Sequence, residues 1–260
     1  MTAPSVATAR DFVRQAELPE PPPINFDIAK APGFDFDAAR DQATVVGSEV
    51  IAFVKGITKE QRQDIVNASL LAQLVARKQI AEPKSLAEVE SWYDSYFDVL
   101  TKIGFALQQR DFAEYKERSQ NFEAHKAILE VATALLAGSP GALVLVKTTL
   151  EALQKMSADS PWITIFDRES QSANTARFQV SLVEEDENAG LLLSLIAFGL
   201  QANHTVTQVL FFKFKKDQVT LHHHSGKVTI NAPLLAAVRD QIAAKLVAYS
   251  TEYIQGLPPL

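Results

Sequence analysis

Three consecutive histidines, His222 to His224, are the part of the sequence best suited to chemistry. Alternate side chains of a β-strand share a face, so His222 and His224 point together and His223 points the other way, toward apolar neighbours. Two imidazoles on one face are the beginning of a metal site. Their predicted neighbours include Lys213 and Lys227, and a lysine ammonium group repels a divalent cation. We therefore expect no metal site here.

The same histidines belong to a predicted basic patch on a chain that is acidic as a whole. The simplest interpretation is a solvated surface close to a turn. Because histidine gains its proton at about pH 6, the positive charge of the patch would increase under mildly acidic conditions. Such a patch suits anionic lipid or an acidic partner. Its predicted members are Lys213, Lys215, Lys216, His222, His224 and Lys227.

No local motif of a common enzyme is present. The sequence lacks the phosphate-binding loop, the dinucleotide glycine pattern, the serine nucleophile elbow and the zinc-protease helix. It also lacks cysteine, which excludes disulfides, thiolate metal sites and cysteine nucleophiles. We expect no cofactor and favour a protein that is not an enzyme. If a dispersed catalytic site exists, its candidates are Asp167, Glu169 and His222.

Charge and the N-terminal pattern restrict the partners and the location. The net charge of −6 and the pI of about 5.4 argue against binding nucleic acid by neutralising phosphates. The N-terminal residues lack a basic start followed by an apolar run, so no cleavable secretory signal is predicted. We expect a cytoplasmic protein, or one exported without such a signal, with no constitutive transmembrane helix.

The elements that position these residues are organised around an apolar segment, Ala124 to Met156. Two arms flank Gly138-Ser139-Pro140-Gly141, and proline suits the first position of a helix, so a helical hairpin is predicted. Each arm would be ~21 to 25 Å long, less than the ~30 Å core of a bilayer. The hairpin is either the centre of a buried core or an element that enters a membrane. Its candidate membrane- or partner-binding residues are Leu135, Leu136, Leu143, Val144 and Leu145.

Helical spacing and capping residues predict the elements before this hairpin. Apolar residues recur at helical spacing over 37–55, and capping boxes begin helices at Thr58 and Ser85. The Ser85 helix either continues to Ala137 or breaks near 109–111, and we favour the break. A long helix beside an apolar hairpin is similar to the architecture of helical pore-forming toxins, although no motif is shared.

β-branched and aromatic residues predict strands after Ser160, beginning with 162–166. Four two-residue turns, the last at Ser225-Gly226, then give a five-stranded antiparallel meander in which Phe178 lies opposite Ala197. A helix from about Pro233 to Gln255, capped by Asn231, would cover one face. The other face is covered by the hairpin or by a second molecule. It carries the candidate binding residues Ile196, Phe198, Val209 and Phe211.

The predicted fold is α+β: an N-terminal helical bundle with an apolar hairpin, then an antiparallel β-meander closed by a C-terminal helix. The predicted domains are a Pro-rich arm (1–36), a helical domain (37–158) and the meander with its helix (159–260). We expect a soluble interaction or self-assembling protein that binds itself or another protein through the apolar sheet and hairpin. The alternatives are a membrane-active, pore-forming protein that inserts 124–156 into lipid, and an enzyme with a site between the two halves.

Overall fold

The computed structural model describes residues 4–21, 35–107, 112–115, 121–157, 159–203, 205–206, 213–215 and 219–256. It confirms the α+β class, because a mixed sheet lies between two layers of helices. The helices are α1 (Val6–Gln15), α2 (Lys59–Gln79), α3 (Leu86–Lys102), α4 (Ala124–Leu135), α5 (Pro140–Lys155), α6 (Pro161–Ser170), α7 (Ala232–Leu246) and α8 (Ser250–Tyr253). The strands are β1 (Gln42–Val46), β2 (Glu49–Phe53), β3 (Phe105–Ala106), β4 (Ala113–Glu114), β5 (Asn121–Glu123), β6 (Gln171–Ser172), β7 (Thr175–Asp186), β8 (Gly190–Ala202), β9 (Lys213–Lys215), β10 (Val219–Ile230) and β11 (Ile254–Gly256).

The sheet has the strand order β11-β1-β2-β7-β8-β10-β3. β2 and β7 are parallel, with α2 to α6 in the connection between them, and the other neighbours in this order are antiparallel. β4 also pairs with β10, β6 pairs with β7, and β5 pairs with β9 in a separate two-stranded sheet. β7, β8 and β10 are the longest strands. On one face, α3 packs on β7 and β8, whereas α2 packs on β1 and β2.

Alternate residues of β7 point to opposite helical layers. Arg177 and Gln179 point to the first face, which is covered by α2 and α3. Farther from the sheet, α7 packs against α2, and α1 packs against α7. Phe178 and Val180 point to the second face, which is covered by α4, α5 and α6. Each face has its own apolar cluster, and the sheet separates the two.

The predicted helix starts at Thr58, Ser85 and Asn231 are confirmed. Thr58 Oγ1 accepts from the Gln61 backbone N–H at 3.2 Å, and Gln61 Oε1 accepts from the Thr58 N–H at 2.9 Å. Ser85 caps α3 and Asn231 caps α7, each through its side-chain oxygen. These bonds satisfy N–H groups that a first turn leaves unpaired, which is why short sequence patterns located them.

The helix predicted over 37–55 is wrong, because the segment forms the β1–β2 hairpin. Gly47 turns the chain with a φ of 54°, and a Cβ at this position would lie 2.4 Å from Gln73 Oε1. Both strands are buried on both faces, so they lack the polar alternation of a strand with one wet face. Their apolar residues matched a helical period, and periodicity alone does not separate the two structures.

The strand predicted over 162–166 is also wrong, because these residues belong to α6. Ser160 is the residue before the helix, and Pro161 lies in its first turn, as is typical of a helix start. Ile163 and Phe166 are buried in the second-face cluster. Their spacing is helical, so the start signal outweighs the strand preference of the residues between them.

The predicted meander is wrong in its register, and one turn residue explains the error. β7 and β8 are joined by three residues rather than two, and the turn ends at Gly190 with a φ of 71°. Phe178 therefore pairs with Phe198 instead of Ala197. A shift of one residue moves a strand's side chains to the opposite face, so Ile196 and Phe198 share the second face with Phe178.

The predicted turn at Ser225-Gly226 is wrong as well, because both residues lie inside β10, which pairs directly with β8. Three long strands thus replace most of the predicted meander. Ile196 and Phe198 are buried beneath helices of this chain. Residues predicted on the strand between β8 and β10 lie partly outside the described residues, among them Val209, Phe211 and Lys216.

A single helix from Ser85 to Ala137 is wrong, because α3 ends at Lys102. The C-terminal helix is shorter than predicted: α7 ends at Leu246, and the chain continues through α8 into β11, which pairs with β1. The sheet takes strands from both 37–158 and 159–260. The division into domains stays a prediction.

Candidate functional site

The predicted helical hairpin is formed by α4 and α5, which are joined by residues 136–139. The connection is tight, since the Ser139 N–H donates to the Leu136 carbonyl at 2.8 Å and the Leu143 N–H donates to the Ser139 carbonyl at 3.1 Å. Pro140 lies in the first turn of α5, as predicted, whereas the Ser139 side chain makes no capping bond. Among the described helices, none combines the length and the apolar character needed to cross a membrane.

One side of the hairpin is packed on the second face of the sheet. Leu136, at the bend, is only 1% exposed, and Leu145 is also buried. These two candidate binding residues therefore contribute to the core in this structure. The other buried residues of the hairpin are Ala124, Ala127, Ile128, Val131, Ala132, Ala142, Val146, Thr149, Leu150 and Leu153.

The opposite side of the hairpin is turned outward at its tip. From Val131 to Val146, which we call the hairpin tip, the chain has no charged residue. Val144 is 63% exposed, and Leu135 and Leu143 are partly buried. A Cβ placed on Gly138 or Gly141 would have no neighbour within 4 Å. The tip is thus an uncharged apolar surface with little packed against its outer side.

The Thr133 side chain of the hairpin tip is already hydrogen-bonded within its own helix. The Thr133 hydroxyl donates to the Leu129 carbonyl one turn earlier, at 2.6 Å. The charged residues that border the tip are Glu130, which accepts a bond from the Tyr115 hydroxyl at 2.5 Å, and Lys147. A polar group that is bonded within its own helix costs less to remove from water, so the tip is suited to an apolar environment.

Among the described side chains of the predicted basic patch, His222, His224 and Lys227 do not lie together. His224 is buried against the rings of Phe97 and Phe112, with centroids 5.3 and 5.9 Å away. His222 Nδ1 lies 2.7 Å from Glu90 Oε1 on α3, while the exposed Lys227 points to the other face of β10. The backbones of Lys213 and Lys215 belong to β9 in the separate small sheet.

The predicted orientation of the histidines is confirmed. His222 and His224 point to the first face, and His223 points to the second, where its ring lies 6.3 Å from that of Phe198 and 6.4 Å from that of Tyr115. Burial, and then the two neighbouring histidines, lower the pKa of His223.

No arrangement typical of a catalytic or metal site is found in the part of the chain that the structure describes. It contains no cluster of three metal-ligating side chains. Glu169 accepts bonds from Arg77 at 2.6 Å and Arg168 at 2.8 Å, so it is an ion-pair residue. A pocket of about 260 Å³ between α2 and α7 contains Arg239, which binds Asp64 through two bonds of 2.6 and 2.7 Å.

A buried polar network on the first face was not found by sequence analysis. Glu49 is 1% exposed and bonds to three hydroxyl groups: Ser181 on β7 at 2.5 Å, Tyr96 on α3 at 2.9 Å, and Ser69 on α2. Burial is the largest influence on Glu49 and raises its pKa, while the three hydroxyls act in the opposite direction. The sequence did contain a signal for this network, because Arg177, Gln179 and Ser181 place polar side chains at alternate positions of one strand.

Arg177 lies on the same face and is 5% exposed. Its guanidinium carbon is 4.4 Å from the centre of the Trp92 ring, a cation–π contact. Among the described residues, no hydrogen-bond acceptor contacts its Nε. Burial lowers the pKa of Arg177 to about 10. The first face therefore contains a buried acid and a buried base that are not paired with each other.

Comparisons with known proteins give a remote structural likeness. No protein-family model and no curated protein matches the chain. A solved delta-endotoxin is similar to it with a TM-score of 0.42 and 16% identity, over 83% of this chain and 95% of the other. The Evf virulence factor has a TM-score of 0.31 and 10% identity, over 77% and 82% of the two chains. Both TM-scores are low, so the likeness does not assign a function to this chain.

Proposed function

We propose that this protein is membrane-active and binds lipid bilayers through the hairpin tip. The observation that carries the proposal is the outward surface between Val131 and Val146, which is apolar, without charge and without packing neighbours at its glycines. Tips of this kind enter the lipid without burying a charge, which is the main cost of inserting a chain into hydrocarbon.

Insertion of the tip alone gives weak affinity. Val144 and the partly buried Leu135 and Leu143 together contribute on the order of 3–5 kcal/mol if they leave water. A free energy of about 4 kcal/mol corresponds to a dissociation constant of about 1 mM. One copy would therefore bind reversibly, and stronger binding would require several copies or release of more of the hairpin.

The competing proposal of a self-assembling or partner-binding protein relied on an apolar sheet face and on the hairpin. Ile196 and Phe198 from the sheet face are buried under the chain's own helices, so these two residues no longer support that proposal. The hairpin tip remains as an outward apolar surface, flanked by Glu130 and Lys147. A specific protein partner is usually held in one orientation by polar groups within the contact surface, and the uncharged tip suits lipid better than such a partner.

The test is flotation with vesicles, combined with dye release, on anionic and neutral lipid at about pH 7.5 and about pH 5.5. Val144→Asp places a charge on the outward side of the tip, and we expect it to weaken binding by at least about tenfold. Val247→Asp is the matched control, because Val247 is 75% exposed but lies after α7, away from the hairpin. Leu136→Asp is unsuitable, because this residue belongs to the core.

Binding through the tip is supported if the wild type and the Val247→Asp variant float with the vesicles and the Val144→Asp variant, shown to be folded, does not. Dye release together with flotation would extend the proposal to permeabilisation, and flotation without release would limit it to binding. If the wild type stays with the soluble fraction on all vesicles, or if both variants lose binding equally, the tip is not a membrane-binding element.

A further inference from the structure

The carboxyl group of Glu49 joins three separate elements at one point beneath the first-face helices. It lies on β2, and its partners lie on α2, α3 and β7. The Ser69 oxygen already accepts a bond from Gln73 Nε2 at 3.0 Å, so the proton of the Ser69 hydroxyl is directed to Glu49. Tyr96 donates to the same carboxyl oxygen, Oε2. The state of one carboxyl group thus affects the docking of both helices on the sheet.

These contacts satisfy the protonated acid without any cation. Oε2 accepts from two hydroxyls, and Oε1 accepts from the Ser181 hydroxyl at 2.5 Å. A hydroxyl oxygen also accepts hydrogen bonds, so Ser181 is able to take the bond from a protonated Oε1 after its own proton rotates away. In the described part of the chain, no lysine, arginine or histidine bonds to Glu49. A carboxylate in this position would be buried without a counter-ion, which is costly because the low dielectric of the interior disfavours charge.

Charged and titratable groups on the neighbouring elements are engaged elsewhere. On α2, Arg62 binds carbonyl groups, Asp64 binds Arg239, and Arg77 binds Glu169. On β7, the guanidinium of Arg177 stacks over Trp92. The titratable neighbours on α3 are Tyr93 and Tyr96, and both have a pKa above the ordinary value, because burial disfavours the phenolate form.

We infer that Glu49 is a proton-controlled lock between the sheet and the helices α2 and α3: the docked structure accommodates the protonated carboxyl, and ionisation leaves a buried charge without a counter-ion, which destabilises the docking even though each hydroxyl bond becomes stronger. This inference does not depend on membrane binding, because the hairpin tip lies on the other side of the sheet. The lock concerns solution stability and is measured without lipid.

The direction of the pH effect follows from proton binding. The pKa of Glu49 in the folded chain is above its ordinary value of 4.5, so the folded state holds the proton more tightly than the unfolded state. The contribution of Glu49 to stability is therefore greatest at acidic pH. It falls as the pH rises above 4.5 and becomes constant above the pKa of the folded chain. In that window, each pH unit reduces the folded-to-unfolded ratio by up to about tenfold.

The experiment compares the wild-type chain with the variant Glu49→Gln and with the control variant Glu187→Gln, since Glu187 is an exposed turn residue. Urea unfolding is measured between about pH 5 and about pH 9. We expect Glu49→Gln to gain stability relative to the wild type as the pH rises, whereas Glu187→Gln follows the wild type. Hydrogen-exchange protection of α2 and α3, corrected for the intrinsic rate, should fall with pH in the wild type more than that of α4 and α5.

Infrared spectroscopy of the wild type keeps the inference testable if Glu49→Gln does not fold. A carboxylic acid band that persists well above the ordinary glutamate pKa would support the lock. Disappearance of that band at the ordinary pKa, or wild-type and Glu49→Gln stability curves that stay parallel across the pH range, would overturn it.

Discussion

β7 presents Phe178 and Val180 to one helical layer and Arg177 and Gln179 to the other. On the second face, rings stack on rings: Phe178 and Phe198 lie 4.8 Å apart at an angle of 18°. On the first face of the same strand, the contacts under α2 and α3 include a carboxyl group and a guanidinium group. Two layers of similar burial are therefore stabilised by different interactions.

The difference shows how each layer responds to its surroundings. Contacts between apolar groups depend on removing area from water, and they do not change with protonation. Hydrogen bonds to a buried ionisable group depend on the charge of that group, and hence on pH. We expect ionisation of Glu49 to act on the first face, while lipid, which resembles the core in polarity, acts on the second face with the hairpin.

The largest expected effect concerns the second face. Phe178→Ala should lower the free energy of unfolding by about 3–5 kcal/mol, because it removes a buried ring and leaves a cavity beside Phe198. The loss should be the same at acidic and neutral pH, as measured by urea unfolding. A strongly pH-dependent loss would mean that ionisable groups contribute to the stability of the second face along with apolar packing.

The next prediction tests whether a buried guanidinium group without an acidic partner destabilises the first face. Arg177→Met should raise the free energy of unfolding by about 1–2 kcal/mol, since the desolvation that lowers the pKa of Arg177 exceeds the cation–π contact with Trp92.

Arg239→Met is the matched variant and should act in the opposite direction. It leaves Asp64 without its partner, and we expect a loss of about 1–3 kcal/mol, reduced because Arg239 is partly exposed. Thermal unfolding of both variants measures the contrast. If both substitutions destabilise the protein equally, the Arg177 side chain makes a stabilising interaction beyond the contacts described above.

A smaller effect measures the coupling between Tyr96 and Glu49. Tyr96→Phe removes a hydroxyl that lowers the pKa of Glu49, so that pKa should rise further. The destabilisation should be about 1 kcal/mol while Glu49 is protonated and about 2 kcal/mol once it is ionised, because bonds to charged groups are stronger. Urea unfolding at two pH values measures the difference, and an equal loss at both would argue against ionisation of Glu49 in that range.

The smallest effect compares helix starts on the two faces. Thr58→Ala should cost about 1 kcal/mol, because Thr58 makes a complete capping box. Ser139→Ala should change stability by less than about 0.5 kcal/mol, because the Ser139 side chain makes no capping bond. A loss of about 1 kcal/mol for Ser139→Ala would show a capping interaction at the hairpin bend.

Much of the helical part was predictable, because its signals are local. The starts at Thr58, Ser85 and Asn231 and the bend at Pro140 each depend on residues within one turn of the chain. The long uncharged stretch that contains Val144 was also recognisable, because it is visible in the sequence itself. The assignment of Leu136 and Leu145 to the core was not predictable, because one helix pattern fits both a buried and an exposed side.

The sequence by itself determined the α+β class, the helical hairpin with its uncharged tip, and the alternation of His222, His223 and His224 between two faces. Only the tertiary structure decided that Gln42 to Phe53 forms strands, that one extra turn residue shifts the register of β8, and that Glu49 is buried among three hydroxyls. The physical reason is the range of the interactions. Capping and side-chain alternation act between near neighbours, whereas strand pairing and burial of an acid depend on residues far apart in the chain.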